Sequence, residues 1–107
     1  MQLEVRGVNY QLDDGLKAHI ERQLKNALGR FAARIQRLSL RMTDVNGPRG
    51  GVDKSCSIAV ELIPRGQVLV KGAGDNPFAL IADAAKRVRS AVRRELKRKG
   101  QHRPLQA

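Results

Sequence analysis

At 107 residues the chain has room for one domain with a single modest core. Its 21 Lys and Arg against 10 Asp and Glu give a formal charge of +11 and a pI near 11.1, which makes nucleic acid the leading partner and an anionic membrane surface the next. No stretch reaches the roughly 18 apolar residues that cross a bilayer, the alternating, acid-bearing N-terminus is no signal peptide, and the lone Cys56 excludes an internal disulfide and fits a reducing, cytoplasmic setting.

Residues 2–7 alternate, with Leu3 and Val5 pointing one way and Glu4 and Arg6 the other, which predicts a short strand with one buried face. Asp13 or Asp14 then caps a helix, because a carboxylate accepts the orphan amide hydrogens of the first turn. Leu16, Ile20, Leu24, Ala27 and Phe31 follow the helical repeat, so helix one is expected over 14–31, with Arg22 and Lys25 on its outer side and Gly29 weakening its last turn. From Ile35 the period changes to two. Leu38, Leu40 and Met42 alternate with Arg37, Ser39, Arg41 and Thr43, a second strand with a cationic open face.

Residues 45–51 read VNGPRGG, a loop in which Gly and Pro prevent regular structure. A third strand over 54–63 buries Cys56, Ile58, Val60 and Leu62. Pro64, Arg65 and Gly66 turn the chain, and a fourth strand covers 67–73. Asp75 or Asn76 caps the second helix, with Pro77 at its first position.

That helix, expected over 77–99, reads PFALIADAAKRVRSAVRRELKRK. Ile81, Ala85, Val88, Val92 and Leu96 form one stripe, with Phe78 and Ala84 at its edges. Lys86, Arg87, Arg93, Arg94, Lys97 and Arg98 lie opposite, with Ser90 and Asp83 among them. Arg89 with Arg93, Arg93 with Lys97 and Arg94 with Arg98 are like-charge pairs at i,i+4, an arrangement that costs helix stability unless a polyanion relieves it. From Pro77 onward the balance is +7 of the total +11, so the charge is concentrated where binding would use it.

The order β-α-β-β-β-α defines an α+β fold. The first crossover favours a parallel, right-handed connection, and the remaining strands an antiparallel meander. The result is a four-stranded mixed sheet with two helices packed on one face. Residues 1–99 form a single domain, and 100–107 a flexible C-terminal tail.

Catalytic readings have little support. His19 and His102 lack ligand-spaced partners, so neither a metal nor another cofactor is implied. Cys56 alternates with core positions as a small hydrophobe. Gly72-Ala73-Gly74 lacks the third glycine and Lys-Ser ending of a phosphate loop, and Asp75 would repel a phosphate there. The outward strand positions carry no aromatic ring, so a base-stacking sheet surface is disfavoured. Arg and Lys along a rigid helix instead suit the phosphates of a shaped RNA or DNA backbone. Arg37 and Arg41, on the open sheet face, either add a second contact or keep that face soluble.

The ordered set of QLEVRG, VNYQLDDGLKAHIERQLKNALGRF, SLRMTDV and GAGDNPFALIADAAKRVRSAVRRELKRK resembles the ribosome hibernation promoting factors, also called ribosome-associated inhibitor A or sigma-54 modulation proteins. The resemblance covers residues 1 to about 99. It departs where Asn76-Pro77-Phe78 replaces the more usual acidic residue, Met or Leu, and Tyr, and in the glycine-rich loop. It implies a non-enzymatic translation inhibitor, active under stress or in stationary phase, whose partner is the small ribosomal subunit and its rRNA. Such proteins occupy the channel used by mRNA and tRNA, with no membrane and no small-molecule substrate. The family's basic positions on the second helix match Lys86, Arg87, Arg89, Arg93, Arg94 and Lys97, with Arg98 next to them and Arg22 and Lys25 as weaker candidates. The separate C-terminal dimerisation domain of long members is not expected. The alternative is a regulatory module for double-stranded RNA or DNA, whose α-β-β-β-α core would match residues 14–99.

Overall fold

The computed structural model describes residues 2–44 and 54–105, with side chains as far as Arg98. In chain order the elements are β1 (Gln2–Val8), α1 (Asp14–Leu28), a 3₁₀ segment (Gly29–Arg34), β2 (Ile35–Asp44), β3 (Lys54–Leu62), β4 (Gln67–Gly74) and α2 (Pro77–Leu105). The expected loop at 45–51 lies outside the described residues.

The four strands form one sheet in the order β1-β2-β3-β4. β1 runs parallel to β2, while β2 with β3 and β3 with β4 are antiparallel. The α+β fold is thus the expected one, with the β1-α1-β2 crossover supplying the parallel pair. On the helix-bearing face, Leu38, Leu40 and Met42 of β2, Cys56, Ile58, Val60 and Leu62 of β3, and Val68 and Val70 of β4 are buried. They pack with Leu16, Ile20, Leu24 and Leu28 of α1 and with Leu80, Ile81, Ala84, Ala85, Val88 and Val92 of α2. Period two in the strands and period 3.6 in the helices therefore converge on one aliphatic core. Leu3 and Val5 of β1, expected to be buried, are only partly so, because β1 is an edge strand with one neighbour.

The helix starts follow from capping chemistry. Asp13 is the N-cap of α1, its carboxylate accepting from the Leu16 amide at 2.7 Å. Asn76 caps α2, its Oδ1 accepting from the amides of Phe78 at 2.9 Å and Ala79 at 3.2 Å, and Pro77 fills the first helical position, where no amide hydrogen is needed. The β3–β4 connection closes with the Leu62 amide donating to the Gly66 carbonyl at 2.8 Å. Gly66 adopts φ 111°, which a side chain would disfavour.

The ends of β1, β3 and β4 differ from the sequence expectation by one residue each, and two helix boundaries depart further. α1 ends at Leu28 rather than at 31, and Phe31 sits in the 3₁₀ segment, half-buried against the core. Gly29, the weak point of that turn, is where the chain tightens from one helix type to the other. α2 continues to Leu105, so residues 100–105, expected in the flexible tail, are helical. Among the described residues no helix is long and apolar enough to cross a membrane.

Candidate nucleic-acid interface

The geometry of α2 separates its two sides cleanly. Ile81, Ala84, Ala85, Val88 and Val92 are buried at 2 % exposure or less, whereas Lys86, Arg87, Arg89, Arg93, Arg94, Lys97 and Arg98 are all exposed. Leu96 is half-buried at the end of the apolar stripe. Phe78, placed at the stripe's edge by periodicity, is 49 % exposed and instead leans on α1: its ring meets His19 edge-on with centroids 4.9 Å apart, and His19 Nε2 lies 3.2 Å from the Phe78 carbonyl oxygen.

The cations of α2 are not equivalent. Arg87 pairs with Asp83 at 3.7 Å and Arg98 with Glu95 at 3.0 Å. Lys86, Arg89, Arg93, Arg94 and Lys97 meet no carboxylate among the described residues. Arg89, Arg93 and Lys97 follow one another at four-residue intervals, rising about 6 Å per step along the helix. Their mutual repulsion is left in place by the fold. Two shallow depressions run beside them, one lined by Val70, Lys86, Arg87, Ser90, Ala91 and Arg94 at the seam with β4, the other by Ser90, Arg93, Arg94 and Lys97. Each presents several cations and a hydroxyl to one volume, an arrangement suited to phosphate oxygens.

Arg22 and Lys25 are exposed on α1, and neither lines the depressions that gather the α2 cations. Arg37 and Arg41 both leave β2 on the open face of the sheet but have different neighbours. Arg37 stands in register with Glu61 and pairs with it at 3.8 Å, an exposed ion pair of small energetic weight. Arg41 stands in register with Ser57 on one side and with Arg6 on the other, and Ser57 in turn with Lys71. Reading the strands one at a time does not single out Arg6 and Lys71, because only the register brings them to Arg41.

Among the described residues no group of His, Cys, Asp and Glu could hold a metal ion. Cys56 is buried, and loss of solvation pushes its thiol up from the usual 9.0 to about 11, the reverse of what a nucleophile requires.

A family model described as sigma 54 modulation protein / S30EA ribosomal protein matches residues 3–100. The chain belongs to that family, one of ribosome-associated proteins and not of enzymes. No curated protein matches the sequence. Among solved structures, the N-terminal domain of Thermus thermophilus Protein Y is similar with a TM-score of 0.71 at 22 % identity, over 88 % of this chain and 98 % of that one. A ribosomal subunit interface protein from Coxiella burnetii gives a TM-score of 0.72 at 13 % identity, over 90 % of this chain and 99 % of that one. At these identities the two structures establish the shared fold.

Proposed function

We propose that this protein binds rRNA of the small ribosomal subunit in the channel used by mRNA and tRNA. Occupying that channel blocks both ligands and holds the ribosome idle in the cytoplasm under stress or in stationary phase. The observation that carries this reading is the set of five α2 cations without carboxylate partners among the described residues, Lys86, Arg89, Arg93, Arg94 and Lys97, on a helix whose other side is locked into the core. Family membership supplies the ribosome. The Coxiella burnetii protein of the same fold, a ribosomal subunit interface protein, is consistent with it.

In this mechanism α2 anchors the domain through phosphate contacts, Arg offering paired hydrogen bonds and Lys a point charge. Arg87 and Arg98 exchange their intrahelical carboxylates for phosphate more expensively, and Arg22 and Lys25 contribute from α1. Inhibition is steric. The protein needs no cofactor, because nothing is bonded or broken. The apolar stripe of α2 is committed to the core, so among the described side chains the helix has no apolar stripe left with which to enter a lipid surface.

Co-sedimentation with separated ribosomal subunits at two salt concentrations tests the reading. Near-stoichiometric, salt-sensitive binding to the small subunit is expected. Weak binding there, with firm binding to free duplex, would select the regulatory double-stranded RNA or DNA module.

A further inference from the structure

The sheet register assembles a cationic row that no single strand reveals. Arg6 pairs in register with Arg41, Arg41 with Ser57, and Ser57 with Lys71, one residue from each of the four strands. At about 4.8 Å between neighbouring strands the row spans roughly 14 Å. All three cations are exposed, on the face opposite the helices. They line one depression of about 370 Å³ together with Ser39, Ser57, Ala59, Leu69 and a single carboxylate, Glu4.

The fold does not relieve this charge. Like charges directly opposite on neighbouring strands are destabilising, yet Arg6 and Arg41 are placed so, and none of the three cations forms an ion pair among the described residues. Farther along β2, Arg37 is given Glu61 in the equivalent position. The sheet therefore supplies a cross-strand carboxylate to Arg37 and omits one in this row. The face presents no aromatic side chain for base stacking among the described residues, its largest apolar group being Leu69 at 61 % exposure, so what it offers is phosphate binding.

We propose that the row Arg6–Arg41–Ser57–Lys71 is a second phosphate-backbone site, on the side of the sheet facing away from α2, so that the domain is held between two segments of RNA. This rests on the reading of α2 as an RNA-binding helix but has a separate failure. Two triple variants, Arg6→Gln/Arg41→Gln/Lys71→Gln on the sheet and Arg89→Gln/Arg93→Gln/Lys97→Gln on α2, are compared with the unaltered chain on isolated small ribosomal subunits, where both RNA segments can be engaged at once, across a salt series. The sheet variant should lose affinity and flatten the slope of log affinity against log salt by about two to three units, with an unchanged or raised melting temperature. The α2 variant should keep a residual binding that disappears when both sets are combined. A sheet variant with unaltered affinity and slope overturns the second site and leaves the α2 reading standing. An α2 variant with unaltered binding overturns the α2 reading instead. Lys71→Gln alone, at the exposed edge strand, guards against a folding artefact and should flatten the slope by just under one unit.

Discussion

Arg87 of α2 lies directly over Gly72 of β4: a Cβ at position 72 would stand 3.2 Å from the Arg87 guanidinium and 3.3 Å from Leu80 Cδ1. The missing side chain lets the helix approach the strand, and Asp83 holds the guanidinium above it. Gly72→Val would drive a branched side chain into Leu80, which is buried and has little room to move. A loss of about 1–3 kcal/mol is expected from this overpacking, read as a lowered melting temperature.

Because Arg87 and Arg98 are tied to Asp83 and Glu95, the free cations should dominate binding. Arg93→Ala with Arg94→Ala is expected to flatten the salt dependence of RNA affinity by about one to two units while leaving thermal stability nearly unchanged. Arg87→Ala should do less. A salt titration of the variants side by side gives the order.

Val92 tests the other side of α2. It is fully buried, with Val88 one turn before it. Val92→Asp would place an unpaired carboxylate in an aliphatic core, at a cost of several kcal/mol, comparable to the whole stability of a small domain. Far-ultraviolet circular dichroism should show an unfolded chain at neutral pH.

Much of the fold is legible in the sequence because local periodicity dictates it. Cys56, Ile58, Val60 and Leu62 alternate without interruption, and the structure buries all four. The caps at Asp13 and Asn76 are readable for a similar reason: each is a short polar acceptor just before an apolar run. Phe31 misleads, since it keeps the helical phase of α1 while the backbone has already tightened after Leu28. The end of α2 is not legible in the same way: its apolar stripe stops at Leu96 and 100–107 reads as a tail, yet the helix continues to Leu105. The cationic row is invisible in the sequence because it is a property of register. Nothing in residues 2–8 or 67–74 taken alone says that Arg6 and Lys71 share a line with Arg41.

The capping interactions carry a measurable share of stability. Asn76→Ala removes the acceptor for two amides at the start of α2 and should cost about 1 kcal/mol, with Asp13→Ala similar at α1. Chemical denaturation should move the midpoint and leave the slope unchanged.

Cys56 gives a pH signature. Its thiol is raised in the folded state from 9.0 to about 11, so burial favours the neutral form. The unfolded chain loses this proton first as pH rises. Stability from this group is therefore complete below about pH 9 and is lost progressively between pH 9 and 11. Cys56→Ala should weaken that alkaline decline, and a thiol reagent at neutral pH should label Cys56 only as the protein unfolds.

On the proposed mechanism, the α2 cations hold the domain where mRNA and tRNA would sit. The most direct measurement is binding of mRNA and initiator tRNA to small subunits loaded with the unaltered chain or with the Arg89→Gln/Arg93→Gln/Lys97→Gln variant. Displacement of both ligands in proportion to occupancy by the unaltered chain is expected, with little displacement by the variant. Normal mRNA and tRNA binding to subunits that each carry about one copy of the protein would contradict the mechanism.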